Sequence, residues 1–134
     1  MGYLVGCLLA LAVSAMASIV GLDKDRAFYP TILAVVASYY ELFAVMGRSS
    51  EAIVAEGLVA AAFLVAMVLG FKRSLWIVVG ALAAHGALDF VHAGLISNPG
   101  VPAWWPAFCM AYDVTAAAYL AVLLRRRALL THVR

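Results

Sequence analysis

The run A-H-G-A-L-D-F-V-H-A-G-L-I-S-N-P-G-V-P-A-W-W-P-A-F-C-M-A-Y-D, Ala84 to Asp113, decides how this chain is read. It holds the end of one apolar segment, a break built from Asn98-Pro99-Gly100-Val101-Pro102 and Trp104-Trp105, and the start of a second apolar segment. His85, Asp89 and His92 interrupt the first segment at i, i+4 and i+7, a spacing that puts all three on one face of a helix. Asp113 interrupts the second. Ionisable side chains are costly in an apolar setting, so their positions carry most of the functional information.

The rest of the chain explains why that setting is a bilayer. Of 134 residues, 67% are hydrophobic and 12% charged, and the mean hydropathy is +1.05. A soluble domain carries about 25% charged residues; this chain would leave a soluble surface almost without groups to hydrate. The composition predicts one all-α, polytopic membrane domain over residues 1–134. A net charge of +2 gives no reason to expect nucleic acid as a partner. Cys7 and Cys109 both fall in apolar runs and form no C-x-x-C pair, so neither a zinc finger nor thioredoxin-like redox chemistry is indicated.

Five spans are predicted, at about 2–22, 28–46, 52–71, 75–95 and 105–124. The first lacks a Lys or Arg ahead of its apolar core and is read as a retained span rather than a cleaved signal, although Ala15-Met16-Ala17 resembles a cleavage site. Gly2, Gly6, Ala10, Ser14 and Ser18 recur at every fourth position in it, a small-residue stripe suited to close helix packing within the subunit or in a homo-oligomer. Pro30 falls in the first turn of the second span, where proline is tolerated, and a serine in Gly47–Glu51 can cap the third. Arg125-Arg126-Arg127 is expected to end the fifth span, leaving a short tail to Arg134.

Lys24, Arg26, Lys72, Arg73, Arg125, Arg126, Arg127 and Arg134 all fall on one side of such a bundle, and Arg48 alone on the other. By the positive-inside rule the N-terminus is outside and the C-terminus cytoplasmic, in a multi-pass cell-membrane protein, most simply of a bacterial inner membrane. This topology assigns depths at 1.5 Å per residue: below the outer boundary Glu41 and Glu56 lie at ~6–8 Å, His92 at ~5 Å, Asp89 at ~9 Å, Asp113 at ~12 Å and His85 at ~15 Å. Helices two to five thus contribute to a single polar layer in the outer half. Each member also has a plain alternative. Glu41 and Glu56 can snorkel to the interface, Asp89 can pair with a histidine for structure alone, and Cys109, although it shares the Asp113 face, is expected to be a small apolar filler.

The motifs H-x-x-x-D-x-x-H (His85, Asp89, His92), N-P (Asn98-Pro99) and C-x-x-x-D (Cys109, Asp113) resemble those of short bacterial integral-membrane proteins grouped as domain-of-unknown-function family 6010. The resemblance implies a shared helical fold and a shared polar constellation, and no particular activity. Many such sequences carry a second histidine directly after the one matching His92; here that residue is Ala93.

Three functions suit this pattern. The first is a membrane enzyme with His85, Asp89, His92, Asp113, Glu56 and Glu41 as candidate catalytic groups, acting on a lipophilic small molecule as an isomerase, cyclase or hydrolase. A His–Asp pair can move protons, and His85, Asp89, His92 and Asp113 can hold a divalent metal such as zinc. The second is a component for transport of protons, metal ions or a small solute. The third is a structural subunit in which the polar layer is interhelical glue.

Overall fold

The computed structural model describes the backbone of residues 1–132 and the side chains of residues 1–128; Arg134, counted above among the cytoplasmic cations, lies outside the described residues. Five helices form: α1 (Gly2–Val20), α2 (Phe28–Met46), α3 (Ser50–Lys72), α4 (Leu75–Leu95) and α5 (Trp105–His132), with one 3-10 turn at Leu22–Lys24. All five are long and apolar enough to cross a bilayer. A helix satisfies its own backbone donors and acceptors, which lipid cannot do, so apolar runs of this length have few other options.

The helix starts follow local chemistry. The Ser49 hydroxyl accepts a hydrogen bond from Ala52 N–H at 3.2 Å, so α3 begins slightly earlier than expected. Ser74 accepts from Trp76 N–H at 3.3 Å and starts α4. The clearest departure is α5, which does not end at Arg125–Arg127 but continues to His132. Arginine is a good helix former, so leaving the apolar zone does not require leaving the helix. Arg127 also anchors the extension, its Nη2 donating to the Asp23 carbonyl at 2.9 Å and lying 3.5 Å from Asp23 Oδ2.

In the bundle α5 packs between α1 and α4, α3 joins α4 to α2, and α2 also touches α4. Gly6 permits the first contact, because a Cβ there would stand 2.3 Å from the Phe108 carbonyl oxygen. The small-residue stripe is thereby occupied inside the subunit: Gly6, Ala10 and Ser14 are buried. Gly86 does the same for α4 and α5, since an added Cβ would lie 3.0 Å from Val114 and 3.2 Å from the Met110 carbonyl. This approach brings the polar face of α4 against Asp113.

The outer surface is apolar, with Leu58 71% and Phe90 74% exposed, as lipid-facing residues should be. The basic residues of the first and third connections and of the α5 extension meet at one end of the bundle, where Arg26 also donates to the carbonyls of Phe71 at 3.0 Å and Gly70 at 3.3 Å. At the other end the loop before α5 is seated on α2 by Asn98 Nδ2, which donates to the Tyr40 carbonyl at 3.0 Å. The backbones of α2 and α5 do not pack along each other. Trp105 bridges them, its ring 4.8 Å from Tyr39 and 4.9 Å from Phe43. An apolar cavity of about 330 Å³ remains between α1, α2 and α5.

Candidate functional site

His85, Asp89 and His92 all face inward from α4, with 1%, 1% and 2% exposure, as their shared face requires. Asp113 on α5 and Glu56 on α3 are equally buried, at 0% and 2%. The buried polar residues do not form one site, however. They form two.

The first cluster is made by α4 and α5. A 2.6 Å hydrogen bond joins His85 Nδ1 to Asp113 Oδ2, and Asp89 Oδ2 lies 3.6 Å from the same nitrogen. Cys109, one turn before Asp113, donates its S–H toward Asp113 Oδ2 at 3.8 Å. One donor atom from each of His85, Asp89, Cys109 and Asp113 falls within 4.8 Å of all the others. Phe63 of α3 packs edge-on against the His85 ring at 4.8 Å. Three carboxylate oxygens in this cluster are buried without a hydrogen-bond partner: both oxygens of Asp89 and Oδ1 of Asp113.

The second cluster ties α4, α3 and the loop before α5. His92 Nε2 lies 2.8 Å from Glu56 Oε1. Asn98 Nδ2 donates to that same oxygen at 2.9 Å, and Asn98 Oδ1 accepts from Gly100 N–H at 3.2 Å. The Tyr40 ring stacks on His92 with a centroid separation of 4.0 Å and an interplanar angle of 24°. No side-chain oxygen or nitrogen of Glu56, His92 or Asn98 is both buried and unpartnered.

The expected four-residue set therefore changes membership. His92 is not in the donor group with His85, Asp89 and Asp113; Cys109 is. The reason is arithmetic. Seven residues return a helix to nearly the same face, but they also advance it ~10.5 Å along its axis, too far for two imidazoles to share a small ion. Asp89 lies between them and turns to His85. Glu56 joins His92 rather than snorkelling. Glu41, on α2, belongs to neither cluster: it is half-buried, makes no hydrogen bond or ion pair to the other candidates, and places Oε2 beside Gly57 of α3.

Three contributors escaped the sequence reading. Cys109 carried a usable signal, the i, i+4 spacing to Asp113. Asn98 looked like turn chemistry and is also a two-way hydrogen-bonding clamp. Tyr40 gave no signal to distinguish it from a packing aromatic.

Cys109 has a second contact of interest. It lines the cavity between α1, α2 and α5, whose other walls include Val35, Tyr39, Trp105 and Phe108. The thiol thus stands between the polar cluster and an apolar space. A volume of about 330 Å³ is at the small end of ligand pockets, which span roughly 300–1,000 Å³. On the basic-end side of the first cluster the buried core is mainly hydrocarbon, including Leu33, Val78, Leu82, Ala117 and Leu120, with Tyr29 and Ser14 buried among it and the Tyr119 hydroxyl donating to Ser18 Oγ at 3.1 Å. No family model, no curated protein and no solved structure matches this chain.

Proposed function

We propose that this integral membrane protein is an enzyme acting on a lipophilic substrate at the cluster of His85, Asp89, Cys109 and Asp113. The observation that carries the reading is Asp89: a carboxylate 1% exposed, with neither oxygen in a formed hydrogen bond, facing an imidazole, a second carboxylate and the equally unpartnered hydroxyl of Tyr40. A group that only glued helices together would be saturated, because an unpartnered buried acceptor costs about 1–3 kcal/mol and a charged one more. Groups held short of their hydrogen-bonding capacity are suited to gain a partner, either a transferred proton or a bound ligand. The His85–Asp113 pair has the form of a base with an orienting carboxylate.

The apolar cavity supplies the substrate class. Its walls suit a hydrocarbon segment, its neighbouring helix surfaces face lipid, and Cys109 joins it to the cluster. Of the three motifs with a resemblance to family 6010, H-x-x-x-D-x-x-H and C-x-x-x-D include all four members of the cluster, with His92 of the first and Asn98 of the N-P motif falling in the other cluster. We further place the N-terminus outside a bacterial inner membrane, on the charge asymmetry; a reporter fused after Arg134 should be active only in its cytoplasmic form.

Lipid extracts from cells expressing wild-type protein or Asp113→Asn test the activity. At equal levels of folded protein, at least one lipid species should be depleted, and one formed, only with the wild type. Identical lipid profiles would overturn the enzymatic reading.

A further inference from the structure

The first cluster has the composition and spacing of a metal site, and we infer that His85 Nδ1, one oxygen each of Asp89 and Asp113, and Cys109 Sγ bind a single divalent cation of the zinc type. This rests on the same side chains as the proposed enzyme centre but not on its being an enzyme, since the site can hold a metal in a protein that catalyses nothing.

Three observations lead there. The donors are one nitrogen, two carboxylates and one sulfur, a mixture that Zn²⁺ accepts and that Ca²⁺ or Mg²⁺, which prefer oxygen, does not. Tetrahedral coordination with bonds of ~2.0–2.3 Å sets ligand atoms roughly 3.3–3.8 Å apart. The separations here are 2.6 Å for His85 to Asp113, 3.6 Å for His85 to Asp89 and 3.8 Å for Cys109 to Asp113, and no pair exceeds 4.8 Å. Shifts of about an ångström would bring these separations to the tetrahedral range.

The third observation is independent of spacing. Among the described residues, Asp89 alone has both side-chain oxygens buried and unpartnered, and Asp113 Oδ1 is orphaned beside it. Two carboxylates this close together in a low-dielectric site repel, and the imidazole together with the Tyr40 hydroxyl beside Asp89 leaves three acceptors without a formed hydrogen bond. A dication would neutralise both carboxylates and occupy the orphaned acceptors. The neighbouring cluster makes the contrast: its one carboxylate meets both His92 and Asn98 through Oε1, and no buried oxygen of it is left unpartnered. Cys109 is the donor that also borders the apolar cavity, so this corner of the coordination shell faces the route by which a substrate would arrive.

The test uses the full chain purified in detergent. Elemental analysis of protein isolated without added metal should give about one zinc per chain. After chelation, titration with Co²⁺ should produce a tetrahedral d–d spectrum with a thiolate-to-cobalt band in the near ultraviolet. Cys109→Ser should retain cobalt and lose that band. Asp89→Asn should weaken Co²⁺ binding by at least ~100-fold, given that even the partners of metal ligands are worth 10–100-fold. Glu51→Gln, an exposed change remote from the cluster, should bind as the wild type does. A wild-type protein that elutes normally, carries no metal and gives no cobalt spectrum would overturn the inference. So would metal retained equally by Asp89→Asn and wild type, which would mark surface binding. A blank metal result leaves the lipid-extract test standing, and unchanged lipid profiles with a loaded cluster would leave the metal site standing without the enzyme.

Discussion

The two buried clusters use similar side chains for opposite ends. Around His92, one carboxylate meets an imidazole and an amide, and every buried polar atom of the three residues finds a partner. Around His85, two carboxylates meet one imidazole and a thiol, and three oxygens are left over. The first arrangement is what stability asks for: it fastens α3, α4 and the loop before α5 at one end of the bundle. The second sits where Gly86 lets α4 and α5 come close, and it contributes one hydrogen bond between them, His85 to Asp113. Saturation, rather than burial or residue type, separates a staple from a reactive or ligand-binding site.

That contrast can be broken most forcefully at Glu56. Glu56→Ala removes the acceptor shared by His92 and Asn98 and strands His92 Nε2, while Asn98 keeps only the Tyr40 carbonyl and Gly100; it should cost about 3–5 kcal/mol, as breaking a buried pair does. A large fall in melting temperature in detergent is expected, and melting near the wild-type value would show that the cluster is no staple. Asn98→Ala should cost less, about 1–3 kcal/mol, because it gives up hydrogen bonds to Tyr40 and Glu56 and the one received from Gly100 without removing a charge. Its loss should show first as protease sensitivity in the loop between α4 and α5; an unchanged cleavage pattern would mean the loop is held by other contacts.

The His85 cluster should respond with the opposite sign. In metal-free protein, Asp89→Asn exchanges an unpartnered carboxylate for a neutral amide, and stability should rise by about 1–2 kcal/mol while metal retention is lost, the usual trade-off at a functional site. The smallest effect is expected at Tyr40→Leu. It removes the ring stacked on His92, worth about 0.5–1.5 kcal/mol, together with a buried hydroxyl beside Asp89, and should leave the metal content of the His85 cluster intact because that hydroxyl is not one of its four donors. Loss of metal in this variant would show that the two clusters behave as one.

Much of this architecture was legible in the chain because lipid simplifies the problem. Uninterrupted apolar runs with charged turns between them can hardly be anything but spanning helices, and the starts of α2 and α4 and the ends of both agree with the sequence expectation. The end of α5 was not legible, because three arginines mark where apolarity stops and not where a helix stops. The site was half legible. Periodicity put His85, Asp89 and His92 on one face, and the short connection put Asp113 opposite them. Periodicity in angle says nothing of distance along the axis, so it could not divide the face between two clusters. Nor could it reveal Cys109 as a donor, since the same residue in the same apolar run would serve equally well as filler. Only the approach of α5 to α4 separates those cases.

The most direct test is the melting temperature of chelator-treated Asp89→Asn beside that of Glu56→Gln, both as full-length protein in the same detergent. The account predicts that Asp89→Asn melts at or above the wild-type temperature while Glu56→Gln melts below it. A fall for Asp89→Asn comparable to that for Glu56→Gln would contradict it, because Asp89 would then be a satisfied structural group and the cluster around His85 a second staple.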